Sequence, residues 1–259
     1  MALPVALQLF SVRDDMAKDY KATLKAVAEM GYQGVELAGI FGNAEEMKAE
    51  LDKNGLVAIS AHVGIDAILN DTEKTLGAHK TIGCKYIAIP YLADEDRPDA
   101  IGFDGTAEKV SKACKLINEY GMIALYHNHA FEFDLIDGKH WLDTMYECIP
   151  ADVLQTELDT CWVNVGGEDP AEYIYKYAGR APVLHLKDFV QKGRKLEDPE
   201  LDFAFRPFGH GVQEHEKILE AAEKCGVEWL VVEQDSPQTG KTPMESVKLS
   251  REFLKKAGF

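Results

Sequence analysis

The stretch VLHLKDF (Val183–Phe189) decides how the rest of the chain reads. Alternation along an extended segment sends His185 and Lys187 to one side and Leu184 and Leu186 to the other. A run of β-forming residues therefore ends in metal-binding and charged side chains. Three more stretches do the same: LYHNHAFEF (Leu125–Phe133), LQTELDTCWV (Leu154–Val163) and WLVVEQD (Trp229–Asp235). Their candidate ligands are His127 or Glu132, Asp159 and Glu233. All are far apart in sequence, yet each closes or follows the C-terminal tip of an expected strand. Ionised carboxylates at buried strand ends are unfavourable unless paired or bound to a cation.

Outward from these four, strand and helix signals alternate along the whole chain. β-rich runs fall at Val5–Phe10, Gly34–Leu37, Val57–His62, Tyr86–Pro90, Ile123–His127, Val153–Leu158, Pro182–Leu186 and Trp229–Glu233. Helical periodicity covers Tyr20–Met30, Ala44–Asn54, Asp71–Ile82, Thr106–Tyr120, Trp141–Cys148, Pro170–Ala178, Glu214–Cys225 and Pro243–Ala257. Gly31, Gly55, Gly83, Gly121, Gly179 and Gly226 each follow a helical run, where a left-handed cap is wanted. Eight strands each followed by a helix predict one closed α/β barrel, a (β/α)8 TIM barrel, as a single domain over residues 1–259. Active sites of that architecture sit at the C-terminal strand tips. The longest irregular stretch, Val190–Val212, would overhang that face as a lid.

A net charge of −16 argues against a nucleic-acid partner, which wants clustered Lys and Arg. The five cysteines are scattered, odd in number and without a CxxC pair, a pattern of reduced thiols in a cytoplasm. The N-terminus has no basic leader, and no run reaches the roughly 20 apolar residues of a membrane span. The expectation is a soluble cytoplasmic protein with a small-molecule partner.

At the fifth strand two readings stay open. His127 binds the cation directly, or Glu132 folds back to do so, and Glu132 is slightly favoured because carboxylate-rich sites suit Mn²⁺ or Mg²⁺. His129 shares the inward side with His127. Other polar residues end strands as well. His62 is placed to hydrogen-bond a sugar hydroxyl or to pack as a satisfied core histidine, and Gln8 is similarly divided. Lys187 neutralises an oxyanion or a substrate carboxylate, or else pairs with Asp188 or Glu157. His210, between Gly209 and Gly211, approaches ligand or merely makes a turn. Phe10, Tyr91, Phe131 and Trp162 offer apolar walls for a sugar ring. Lys187, Lys192, Arg194, Lys195 and Arg206 are the candidates for holding a phosphate, and a non-phosphorylated sugar is favoured.

The segments GYQGVEL (Gly31–Leu37), HNHAFEF (His127–Phe133), ELDTCW (Glu157–Trp162), HLKD (His185–Asp188) and VVEQD (Val231–Asp235) resemble the xylose-isomerase-like barrels. That group includes sugar-phosphate isomerases and epimerases, ketose 3-epimerases, inosose dehydratase and endonuclease IV. The resemblance implies one divalent cation held by a Glu, an Asp, a His and a second Glu at the fifth to eighth strand tips. Position by position it assigns Asp159, His185 and Glu233. Many relatives read Glu-Asn-His where this chain reads His127-Asn128-His129, so His127 occupies the usual ligand position. Resemblance to the ketose epimerases implies a substrate contact for Glu36, and the group as a whole implies an oligomer. Mn²⁺ is the favoured ion, with Mg²⁺, Zn²⁺ and Co²⁺ as alternatives. The implied activity is a metal-dependent sugar isomerase or epimerase that moves a proton α to a carbonyl, with His127, His129, Glu132, Glu233 or Lys187 as its acid-base groups. The alternatives are a dehydratase or lyase acting on a keto-cyclitol or 3-keto-glycoside, and a sugar-binding barrel without chemistry.

Overall fold

Eight short parallel strands close on themselves, and every one of them was expected from the alternating pattern. The computed structural model describes residues 2–191, 203–237 and 240–259. The barrel strands are β1 Val5–Gln8, β2 Gly34–Leu37, β3 Val57–His62, β4 Tyr86–Ile89, β5 Ile123–His127, β6 Gln155–Asp159, β7 Val183–Leu186 and β8 Trp229–Val232. Each pairs with its neighbours in sequence, and β8 returns to β1 in the register Leu7↔Val232.

Two apolar layers hold the barrel. Ala6, Ile59, Tyr86, Leu125, Val183 and Val231 fill its lower interior. A larger cluster lies between strands and helices, with Val35, Ile87, Leu158, Leu184 and Leu230 fully buried. Strands covered on both faces read as near-continuous apolar runs. The charged and histidine exceptions, all near the C-terminal ends, therefore stand out. On β3 the register jumps from Val35↔Ala58 to Glu36↔Ser60. That one-residue bulge leaves Ile59 in the interior layer and still turns the Ser60 hydroxyl onto Glu36.

All six glycines expected as helix caps have positive φ, between 68° and 101°. The helices differ mainly at their N-termini. The first begins at Arg13 and bends at Asp19, and the one spanning Pro98–Glu119 bends at Gly102. Two helices of six residues, Ile65–Asn70 and Thr160–Val165, were not anticipated, because less than two turns gives no readable period. Nor is the stretch after β7 wholly irregular. Asp188–Gln191 and Phe203–Arg206 pair antiparallel, in the register Asp188↔Arg206 to Gln191↔Phe203. No helix among the described residues is long and apolar enough to cross a membrane. The five cysteines are free.

Candidate metal centre and active-site cavity

The tips of β5 to β8 bring four ligand-type side chains together. One donor atom from each of His127, Asp159, His185 and Glu233 lies within 4.8 Å of the others. Local bonding sets each in place. Asp159 ends β6 and caps the short helix behind it: Oδ1 accepts from the N–H of Cys161 at 2.8 Å and of Trp162 at 3.1 Å. That cap turns Oδ2 inward, where it is buried and has no aligned hydrogen bond. Asn128, on the opposite side of β5 from His127, accepts from the Asp159 N–H at 2.9 Å and so ties the two tips together. Thr160 donates to the His185 carbonyl at 2.8 Å, which ties β6 to β7. His185 Nδ1 lies 2.9 Å from Glu233 Oε2, and His127 Nε2 lies 3.8 Å from Asp159 Oδ2. A buried carboxylate oxygen without an aligned hydrogen bond, among two imidazoles and a second carboxylate, is part of a donor set that fits a divalent cation.

Lys187 reaches the same place. Its Nζ is 2.9 Å from Glu233 Oε2, 3.2 Å from Asp159 Oδ2 and 3.3 Å from Asp235 Oδ1. Burial disfavours its charge, but the three carboxylates outweigh that and hold the ammonium well above its ordinary value. Burial likewise opposes ionisation of Glu233, and Lys187 with His185 more than reverses it. These are the partners of Lys187, in place of the Asp188 or Glu157 considered from the sequence.

A further polar layer lies one step deeper in the barrel. Glu36 is fully buried and accepts from Gln8 at 2.5 Å and from Ser60, with the Nε2 atoms of His62 and His185 each 2.9 Å from its Oε1. Glu36 is absent from the cavity lining, and its carboxylate is taken up by these four partners. Glu157, two residues before Asp159 and on the same side of β6, is also fully buried, with Oε2 2.7 Å from His62 Nε2. Burial opposes the His62 cation, yet Glu36 and Glu157 overcome it and bring its pKa to about 10. Burial and the Glu36 charge push Glu157 up to about 8.

Above these residues opens a cavity of about 390 Å³, lined by Phe10, Tyr91, His62, His127, His129, Lys187, Glu233 and Asp235 among others. His129 rests against Phe131 and Trp162, at ring separations of 5.8 and 5.5 Å. Its buried Nδ1 has no partner, and burial lowers its pKa to about 3, so the ring is neutral. Phe203, on the hairpin arm, stacks on Trp162 at 6.0 Å and extends this aromatic wall.

Two expected site residues lie elsewhere. Glu132 is buried beneath the loop after β5. Tyr126 donates to its Oε1 at 2.9 Å and the His129 N–H to its Oε2 at 2.7 Å. With both oxygens so occupied it stands outside the four-residue group, and His127 takes the place for which Glu132 had been favoured. His210 is exposed and does not line the cavity. The glycines beside it serve Asp188, whose Oδ2 accepts from the Gly209 N–H at 3.1 Å and the Gly211 N–H at 2.9 Å, with His215 Nε2 at 2.7 Å. Of the phosphate candidates, Lys192, Arg194 and Lys195 lie outside the described residues, and Arg206 is not in the cavity lining. Glu157 and Asp235 were missed, although strand parity with Asp159 and Glu233 was a usable signal for both.

Residues 24–257 match the family model described as xylose isomerase-like TIM barrel. Among solved structures, a sugar phosphate isomerase/epimerase from Parabacteroides distasonis superposes with a TM-score of 0.83 at 22% identity, covering 99% of this chain and 95% of that one. The Escherichia coli 3-keto-D-glucoside 4-epimerase superposes with a TM-score of 0.68 at 16% identity, over 99% of each chain. In sequence, an inosose dehydratase of Geobacillus kaustophilus is 23% identical over 89% of this chain and 85% of its own length. Likeness at this level carries the architecture and leaves the reaction to be argued from the site. The chain belongs to the xylose isomerase-like TIM barrel family.

Proposed function

We propose that this protein is a divalent-metal-dependent sugar isomerase or epimerase that moves a proton on the carbon next to a carbonyl. The observation that carries the reading is the cluster of His127, Asp159, His185 and Glu233, with Asp159 Oδ2 buried and without an aligned hydrogen bond although Lys187 lies 3.2 Å away. His127 is the fourth ligand in place of Glu132. Two imidazoles and two carboxylates suit Mn²⁺, Zn²⁺ or Co²⁺ better than Mg²⁺. Bound there, the cation would polarise a substrate carbonyl and stabilise the negative charge that develops as the adjacent proton leaves.

The remaining work falls to side chains around the cavity. His129 is the proton acceptor, because the residue lines the cavity and is not needed as a ligand. Lys187 stands beside the ligand carboxylates as a fixed positive charge toward the developing oxyanion. His62 offers a hydrogen bond to a substrate hydroxyl from the cavity wall. Phe10 and Tyr91, 40% and 46% exposed at the mouth, flank a sugar ring. A cytoplasmic setting fits the five free thiols.

A second reading, loss of water from a keto-cyclitol or keto-sugar, is favoured by one feature. Asp235, whose carboxyl is raised by burial, lies beside Lys187 and lines the cavity, so a proton donor for a departing hydroxyl is at hand. Both readings share the first proton transfer. Incubation with keto-sugars and keto-cyclitols in D₂O, with Mn²⁺ supplied, tests them together. Deuterium entering the carbon α to the carbonyl, with a product of unchanged composition, supports isomerisation or epimerisation. Loss of water supports the second reading, and no exchange with any such substrate contradicts both.

A further inference from the structure

The two histidines assigned as ligands each divide their ring nitrogens between two layers of the barrel. His127 turns Nε2 toward Asp159 Oδ2, and its Nδ1 lies 3.2 Å from Glu157 Oε2. His185 turns Nδ1 toward Glu233, and its Nε2 lies 2.9 Å from Glu36 Oε1 and 3.4 Å from Glu157 Oε2. Glu157 Oε2 therefore faces all three imidazoles at once, those of His62, His127 and His185. Neither acid lines the cavity.

A neutral imidazole has one donor and one acceptor nitrogen, and which is which depends on what each faces. His127 Nδ1 and Glu157 Oε1 are both buried without an aligned hydrogen bond. A small turn of the His127 ring or of the carboxylate, whose Oε2 is already 3.2 Å from Nδ1, would pair them and remove the cost of leaving buried polar groups unsatisfied.

We propose that Glu157, with Glu36 beside it, is a positioning residue that fixes the tautomers of the two histidine ligands. With the cation in place of the His185 Nδ1 contact to Glu233, Nδ1–H of His127 and Nε2–H of His185 donate to this carboxylate floor, which leaves His127 Nε2 and His185 Nδ1 as the lone pairs facing the cation. Such a hydrogen bond also orients the ring and raises its basicity as a ligand. The inference rests on the reading of His127 and His185 as ligands.

Calorimetric titration of the full chain with Mn²⁺ and with Zn²⁺ tests it, comparing the wild type with E157Q. The expected result is one cation per chain in both, bound about 10–100-fold more weakly by E157Q at an unchanged melting temperature of the metal-free protein. Equal affinities would overturn the inference and leave the metal reading standing. Two cations per wild-type chain, one of them lost in E157Q, would make Glu157 a ligand and overturn it as well. No binding by the wild type would overturn the metal reading, and this inference with it. Should E157Q fail to fold, long-range ¹H–¹⁵N spectra of the Zn²⁺-loaded wild type decide. A protonated Nδ1 on His127 is expected, and an unprotonated one contradicts the proposal.

Discussion

Lys187 Nζ lies 2.9 Å from Glu233 Oε2, so an ammonium shares a carboxylate with the proposed cation site. The two positive charges compete for the same pair of acids, since Asp159 Oδ2 is also within 3.2 Å of Lys187. Replacing Lys187 by Met should leave cation affinity equal or tighter while lowering turnover about 100-fold, the usual cost of losing one preorganised charge at a developing oxyanion. Parallel titration and rate measurements on K187M check this. Loss of cation binding would mean that Lys187 acts chiefly to hold the carboxylates in place.

Glu132 and His127 should separate cleanly. E132Q leaves one acceptor oxygen where the Tyr126 hydroxyl and the His129 backbone N–H use two, but keeps every proposed ligand, so its cation affinity should match the wild type while kcat falls. H127A should lose more than the roughly 10–100-fold typical of an outer-shell partner, as expected for removal of a direct ligand. Titration of both variants with Mn²⁺ checks the pair. The opposite pattern would restore Glu132 as the ligand.

The Asp188 clamp gives a stability prediction at a glycine. A Cβ on Gly211 would stand 2.1 Å from Asp188 Oδ1 and 2.3 Å from the Phe189 carbonyl. G211A should therefore destabilise the fold by about 1–3 kcal/mol through overpacking. Gly77 is the internal control, because it lies inside the helix Thr72–Ile82 with nothing near its missing Cβ. G77A should gain about 0.5–1 kcal/mol. Urea unfolding of the two variants checks both signs.

Asp188 also sets an acid limit. Burial raises its pKa, but the His215 hydrogen bond and the amides of Gly211 and Gln213 overcome this and leave it below the ordinary Asp value. A folded-state pKa below the unfolded one adds stability that is present in full above the unfolded value, near 3.9. That stability is lost as pH falls through the folded value. Unfolding free energy should drop on the acid side of about pH 4, and D188N should be less stable at neutral pH with a shallower acid loss. Denaturant titrations between pH 5 and pH 3 check the slope.

Much of this architecture could be read from the chain because its signals are local. Strands buried on both faces leave apolar runs such as WLVV and VLHL, and six cap glycines mark where helices stop. Three of the four clustered donors were legible as charged residues ending those runs. The fourth depended on the path of the loop after β5, where Tyr126 and the His129 amide capture Glu132. Alternation cannot report such a contact. At His210 the choice between ligand contact and turn was hidden for a similar reason: the glycines around it answer to Asp188, 21 and 23 residues earlier. Glu157 shares a face with Asp159 and carried the same parity signal that pairs Lys187 with His185.

Metal content is the most direct test of the whole reading. Protein purified without chelator and dialysed against Mn²⁺ or Zn²⁺ should retain about one divalent cation per chain, as a four-ligand site would hold it. D159N and H185A should retain almost none, and anomalous scattering should place the ion between His127, Asp159, His185 and Glu233. Wild-type protein that holds no cation under these conditions, or holds it away from those four side chains, would contradict the assignment.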